Sequence, residues 1–224
     1  MGSSVARTIP QSAIRNPLDL IFGVDSNVRV LRVLVRHGGY LSSSDIGRRA
    51  GISKSSTRLG LISLGETGVV SAEGSGYNRL YRVNAEHYFS KAIENLFAAE
   101  ERRFADIIDA VTDSPGDMKQ FVKSLWVYGS VARGEDRLGS DLDVGVVTEA
   151  ANLAAVVDVV RDSLAVHSER LGFTPSVVGL DMEDVSRLAR DDDPWWSSVV
   201  KEAIVLAGRR PEELPSLAGA DAHG

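Results

Sequence analysis

Residues 125–147 read Leu-Trp-Val-Tyr-Gly-Ser-Val-Ala-Arg-Gly-Glu-Asp-Arg-Leu-Gly-Ser-Asp-Leu-Asp-Val-Gly-Val-Val. Two apolar runs flank a polar stretch with three glycines, a pattern that predicts a strand over 124–128, a short helix over 131–138 and a strand over 141–147. Gly129 follows the first strand, and without a Cβ it lets the backbone come close to a ligand. The second strand opens with Asp141 and Asp143. Because strand side chains alternate, both carboxylates lie on one face.

Two carboxylates on one face repel each other unless a cation lies between them. Magnesium takes oxygen ligands and favours one or two carboxylates combined with triphosphate oxygens. The amides at the start of the predicted helix, with the Ser130 hydroxyl and Arg133 one turn further, suit phosphate oxygens. The segment therefore predicts a site for Mg²⁺ and a nucleotide. The alternative is that Asp141 and Asp143 merely solvate the end of the strand, which would be the interpretation if the upstream turn were absent.

The same residues form an ordered signature of Gly129-Ser130, Arg133-Gly134 and Ser140-Asp141-Leu142-Asp143. With these elements at this spacing, the segment resembles the nucleotidyltransferase superfamily typified by DNA polymerase beta, over roughly residues 120–208. The resemblance implies transfer of a nucleoside monophosphate from a nucleoside triphosphate to a hydroxyl acceptor. It assigns metal binding and catalysis to Asp141 and Asp143, and nucleotide binding to Gly129, Ser130, Arg133 and Ser140.

Catalytic members of that superfamily usually add a third carboxylate from a later strand. The corresponding predicted strand, 175–180, contains no acid, and Asp181 follows it. Asp181 has two interpretations: it completes the catalytic set, or it caps the helix that begins at Met182, which is the favoured interpretation. Without a third carboxylate, nothing evident deprotonates the acceptor hydroxyl, so it stays open whether the chain is an enzyme.

The front half of the chain carries an excess of positive charge. Between Val28 and Arg82 the sequence has nine lysines and arginines against three acids, whereas the whole chain has a net charge of −6. Amphipathic spacing and capping residues predict helices over 27–37, from a Ser42 cap to Ala50, and from a Ser53 cap to about Thr67. Alternation then predicts a β-hairpin ending at Val83.

This element order resembles the winged helix-turn-helix domains of bacterial repressors, over roughly residues 24–85. The resemblance implies double-stranded DNA as partner, with the third helix in the major groove, and a homodimer on a two-fold site. The candidate DNA-binding residues are Lys54, Ser55, Ser56, Thr57 and Arg58 on that helix and Arg79 on the hairpin. A winged helix used for protein contacts is the alternative.

The sequence thus predicts an α+β chain of two domains: a winged helix-turn-helix over 20–85, a connecting and dimerising helix over 86–113, and an α/β nucleotidyltransferase domain with a small mixed sheet over 118–208. The alternative function is a transcriptional regulator whose degenerate transferase domain binds nucleotide as effector or only supports dimerisation. No apolar run is long enough to span a membrane and cysteine is absent, so we expect a soluble, cytoplasmic protein. A loose arm is expected over residues 1 to about 19, and a disordered tail over 219–224.

Overall fold

The computed structural model describes residues 18–218. Residues 1–17 of the expected arm and the whole expected tail over 219–224 therefore lie outside the described residues. The chain divides into two compact units between Glu101 and Arg102. That division lies inside the long helix predicted over 86–113. No helix within residues 18–218 is long and apolar enough to cross a membrane.

Within residues 18–101, the first unit contains four α-helices, the start of a fifth and a three-stranded sheet. In chain order its elements are α1 (Leu18–Phe22), α2 (Asp25–His37), β1 (Leu41–Ser42), α3 (Ser43–Ala50), α4 (Lys54–Glu66), β2 (Val70–Glu73), β3 (Leu80–Val83) and the first half of α5 (Ser90–Asp113). The three predicted helices and the hairpin are confirmed. Strand β3 lies between β1 and β2 and pairs antiparallel with both.

Local signals account for the helix ends in this unit. The Ser42 hydroxyl accepts a hydrogen bond from the Asp45 amide at 3.1 Å, and the Ser53 hydroxyl accepts one from the Ser56 amide at 3.1 Å. Each satisfies an amide that the first helical turn leaves without a backbone partner. Gly51 ends α3 with φ of +64°, a conformation that glycine adopts without steric cost. Apolar faces of α2, α4 and α5 then meet in one core.

The second unit alternates strands and helices. After the second half of α5, its elements are β4 (Val122–Tyr128), α6 (Gly129–Arg133), β5 (Leu142–Thr148), α7 (Leu153–Leu171), β6 (Pro175–Leu180), α8 (Met182–Arg190), α9 (Pro194–Glu202), β7 (Ile204–Gly208) and α10 (Leu214–Ala218). The strands form a mixed sheet in the order β6-β5-β4-β7. Only the β5–β6 pair is parallel.

Each face of this sheet carries its own core. Leu125, Val127, Val144 and Val146 pack with α5 and α7 on one face. The other face presents Trp126, which lies beside Trp196 of α9 at 6.2 Å between ring centroids. Since β4 and β5 are buried on both faces, their sequences are almost continuously apolar.

Two predicted helices differ from the structure. The helix predicted over 131–138 is the single turn α6, because Gly134 adopts φ of +67° and ends it. The helix predicted over 194–206 stops at Glu202, and residues 204–208 form β7 instead, paired with β4. A short apolar run fits a helix or a buried strand equally well, and here the free edge of β4 selects the strand.

Candidate functional site

The turn between β4 and α6 lies directly against the second acid of the signature. Tyr128 pairs with Asp143 across the β4–β5 ladder, and Gly129 follows with φ of +74°. A Cβ built on Gly129 would lie 2.3 Å from Asp143 Oδ2, well inside contact distance. Glycine is therefore required here both by its backbone conformation and by the carboxylate beside it. The predicted meeting of the turn and the acid is present in the structure.

Asp141 and Asp143 flank the buried Leu142 at the start of β5. Asp141 precedes the strand and is exposed, whereas Asp143 is half-buried. Burial raises the pKa of the Asp143 carboxyl, and the negative charges of Asp141 and Glu202 raise it further. A hydrogen bond from Ser176 and the positive charge of Arg133 act in the opposite direction. The site thus holds an excess of negative charge that a cation would stabilise.

Arg133 lies beside these acids but is engaged by two other carboxylates. Its Nε is 2.8 Å from Glu135 Oε2, and its terminal nitrogen Nη1 is 2.5 Å from Glu202 Oε2. The hydrogen bond to Glu135 makes the largest contribution to the raised pKa of Arg133, and the hydrogen bond to Glu202 raises it further. A phosphate that reaches Arg133 therefore meets a guanidinium whose Nε and Nη1 already donate to carboxylates. Glu202 lies inside a helix predicted from the sequence, and nothing in its local pattern indicated a place at this site.

The position beside Asp143 on the neighbouring strand is a serine. In the parallel β5–β6 ladder Asp143 pairs with Ser176, and Val147 pairs with Leu180. Asp181 therefore lies five residues further along β6 than Ser176, roughly 16 Å at 3.3 Å per residue. Its Oδ1 accepts a hydrogen bond from the Asp184 amide at 2.8 Å. The capping interpretation of Asp181 is confirmed, and its assignment to the catalytic set is corrected, because it lies at the opposite end of the sheet.

The two serines assigned to nucleotide binding occupy different settings. Ser130 lies in α6, and its carbonyl accepts the Glu135 amide at 2.9 Å. The Ser140 hydroxyl accepts the Arg137 amide at 2.9 Å and closes the loop before Asp141. Helix α6 has only five residues, so its macrodipole contributes less than the longer predicted helix would. Within residues 18–218, no three His, Cys, Asp or Glu side chains assemble into a metal-binding group.

The candidate DNA-binding residues lie on α4 and on the β2–β3 hairpin. Lys54, Ser55, Arg58 and Arg79 are exposed, and Ser56 is half-buried. Arg58 and Arg79 line one cavity of ≈ 510 Å³ between the helix and the hairpin. Lys54, Arg58 and Arg79 give this surface its positive charge. Among residues 18–218, no carboxylate lies within ion-pair distance of them.

The prediction that Thr57 belongs to the DNA-binding surface is corrected, because the residue is buried. It is 0% exposed, and its hydroxyl donates to the Ser53 carbonyl at 2.9 Å. Thr57 precedes Leu61 by four residues and Leu64 by seven, so it belongs to the buried stripe of α4. That spacing was visible in the sequence, but the polar run around it suggested an exposed face.

Residues 111–180 match the family model described as a nucleotidyltransferase domain. This segment is a nucleotidyltransferase-family domain. No curated protein matches the chain. The solved structure of the AntR antimony-specific transcriptional repressor is similar over 47% of this chain and 93% of its own, at 19% identity and a TM-score of 0.34. A toxin–antitoxin structure with AMP-PNP is similar over 52% of this chain and 83% of its own, at 16% identity and a TM-score of 0.30.

Proposed function

We propose that this chain is a DNA-binding regulator whose nucleotidyltransferase-family domain binds a nucleoside triphosphate with Mg²⁺ as effector and does not turn it over. One observation carries this choice. Ser176 occupies the position beside Asp143 on the adjacent strand, where catalytic members of the superfamily place a carboxylate. A general base typically contributes two to four orders of magnitude in rate, so its loss leaves binding as the main activity.

The residues at the β4–β5 edge fit a magnesium–nucleotide complex. Magnesium is commonly held by one or two carboxylates together with phosphate oxygens, and Asp141 and Asp143 supply those carboxylates. The bare backbone of Gly129 lets the Asp143 carboxylate lie directly against the turn. Arg133 would donate to a phosphate oxygen through the guanidinium hydrogens that Glu135 and Glu202 do not use. Burial and then the negative charges of Asp141 and Glu202 raise the pKa of Asp143, and a bound cation would offset those charges.

The first unit is proposed as a winged helix-turn-helix domain that binds double-stranded DNA. Helices α2 to α4 followed by the β2–β3 hairpin support this assignment, because in such domains the third helix enters the major groove and the hairpin contacts the backbone. The exposed Lys54 and Arg58 of α4 and Arg79 of the hairpin supply positive charge for phosphates. A homodimer on a two-fold site is proposed on the same basis.

Nucleotide transfer itself is the second candidate function. The family match over residues 111–180 favours it, as does the contact between Gly129 and Asp143. Transfer would release pyrophosphate and place a nucleoside monophosphate on a hydroxyl acceptor. For that reaction this chain offers Asp141 and Asp143, but no carboxylate at position 176.

The deciding experiment incubates the full chain with each of the four nucleoside triphosphates and Mg²⁺. Calorimetry measures binding, and pyrophosphate release with self-labelling measures turnover. We expect binding that Asp143→Asn abolishes, with pyrophosphate release no greater than for that variant. Release by the wild-type chain that Asp143→Asn removes would establish the transferase instead. The absence of binding for every nucleotide would refute both candidates.

A matched variant sharpens the result. Ser176→Asp places a carboxylate beside Asp143, while Ser176→Asn places an amide of the same size there. If the missing acid is what prevents turnover, Ser176→Asp gains pyrophosphate release and Ser176→Asn does not. Equal release by both variants would show that position 176 does not limit the chemistry.

A further inference from the structure

Helix α4 exposes two large apolar side chains on the surface that also carries its cations. Leu59 is 62% exposed and Ile62 is 43% exposed, although Leu61 and Leu64 of the same helix are buried. Ser55, Leu59 and Ile62 are spaced by four and three residues, so they form one outward stripe along the helix. Exposing apolar surface in this way is unfavourable unless a partner covers it.

Positive charge borders this stripe. Lys54 and Arg58 are exposed on the same helix, and Arg79 is exposed on the hairpin. Arg58, Ile62 and Arg79 line the same cavity, with Glu66 at the last turn of α4. Within residues 18–218, Lys54, Arg58 and Arg79 form no ion pair with a carboxylate of the chain. The stripe and its border therefore suit a partner that is polyanionic at its edges and apolar at its centre.

We propose that Leu59 and Ile62 contact thymine methyl groups in the major groove, while Lys54, Arg58 and Arg79 contact the flanking phosphates. The C5-methyl of thymine is the apolar group that the major groove presents, and apolar side chains recognise it by contact. The inference rests on the proposed DNA binding and adds to it the kind of base pair that is read. It also moves the reading surface from the start of α4 toward its middle.

The size of the effect follows from the surface that is buried. Covering one methyl-sized group changes affinity about fourfold. Removing a contacted thymine methyl should therefore weaken binding about fourfold for each methyl lost. Phosphate contacts behave differently, because they depend on salt and not on the base.

The test starts from duplexes that the full-length chain selects from a random library. Each thymine of the selected site is replaced in turn by deoxyuridine, which removes only the methyl group. We expect about fourfold weaker binding at one or more positions. Leu59→Ala and Ile62→Ala should weaken binding and make it insensitive to the corresponding replacement. Val166→Ala, at a valine that is 77% exposed on α7 of the second unit, is the control and should change neither property.

Three results would overturn the inference in different ways. If Leu59→Ala binds the selected duplexes as tightly as the wild-type chain does, and deoxyuridine has no effect on either protein, the stripe does not read bases. Loss of self-association in Leu59→Ala, measured by sedimentation, would assign the stripe to a second copy of the chain. A wild-type chain that selects no duplex would contradict DNA binding itself and this inference with it.

Discussion

Replacing Gly129 by alanine tests the contact on which the nucleotide site depends. Gly129 and Gly134 begin and end the same short helix, with φ of +74° and +67°. A non-glycine residue in this conformation costs roughly 1–2 kcal/mol. A Cβ added at Gly134 would meet nothing within 4 Å, whereas a Cβ added at Gly129 would lie 2.3 Å from Asp143 Oδ2 and 3.3 Å from its Cγ. Gly134→Ala is therefore the matched control.

We expect Gly134→Ala to lower the free energy of unfolding by roughly 1–2 kcal/mol and to preserve nucleotide binding. Gly129→Ala should cost roughly 1–3 kcal/mol more, as overpacked sites do. If Asp143 rotates away, this additional cost falls, but the carboxylate then leaves the metal position and nucleotide affinity is lost.

Urea unfolding followed by tryptophan fluorescence measures this difference. All three tryptophans (Trp126, Trp195 and Trp196) lie in the second unit, so the signal reports on that unit alone. Calorimetric titration with magnesium and nucleotide completes the comparison. If the two alanine variants are equally stable and bind nucleotide equally well, the described contact between Gly129 and Asp143 is wrong.

Three further changes have defined outcomes. Asp143→Asn should stabilise the second unit at neutral pH, because the raised pKa of Asp143 means that folding disfavours its charged form; the gain should vanish in thermal melts once the pH falls below the ordinary aspartate pKa. Gly145→Ala should cost roughly 1–3 kcal/mol or more, since its Cβ would lie 2.3 Å from the Trp126 indole nitrogen, and unchanged urea unfolding would contradict that packing. Ser53→Ala should cost about 1 kcal/mol by circular dichroism, because the Ser56 amide loses its acceptor.

The sequence predicts most where local chemistry is decisive. The caps at Ser42 and Ser53 are confirmed by direct hydrogen bonds, and the strand predicted over 175–180 matches β6. The glycine turn and the acids are found together because the strands that carry them are neighbours in the chain and in the sheet. Strands that follow each other in the chain usually lie side by side in the sheet.

The sequence fails where pairing between distant strands determines the answer. Ser176 lies beside Asp143 only through the register of the parallel β5–β6 ladder, which no local pattern encodes. Glu202 approaches the site because β7 turns back along β4. Asp181 was a candidate catalytic acid because it directly follows a predicted strand. That strand carries it to the end of the sheet opposite Asp143.

Strand β7 also determines where this domain can be cut. The family match ends at residue 180, but a fragment with that end would lack the strand that covers β4. The row of amides and carbonyls along β4 would then be available to any other extended chain, the usual origin of edge-to-edge aggregation. The indole of Trp126 would lose Trp196, and the core on that face would lose its members from α9 and α10. An excised domain therefore has to continue through Leu214, which is fully buried against this same face.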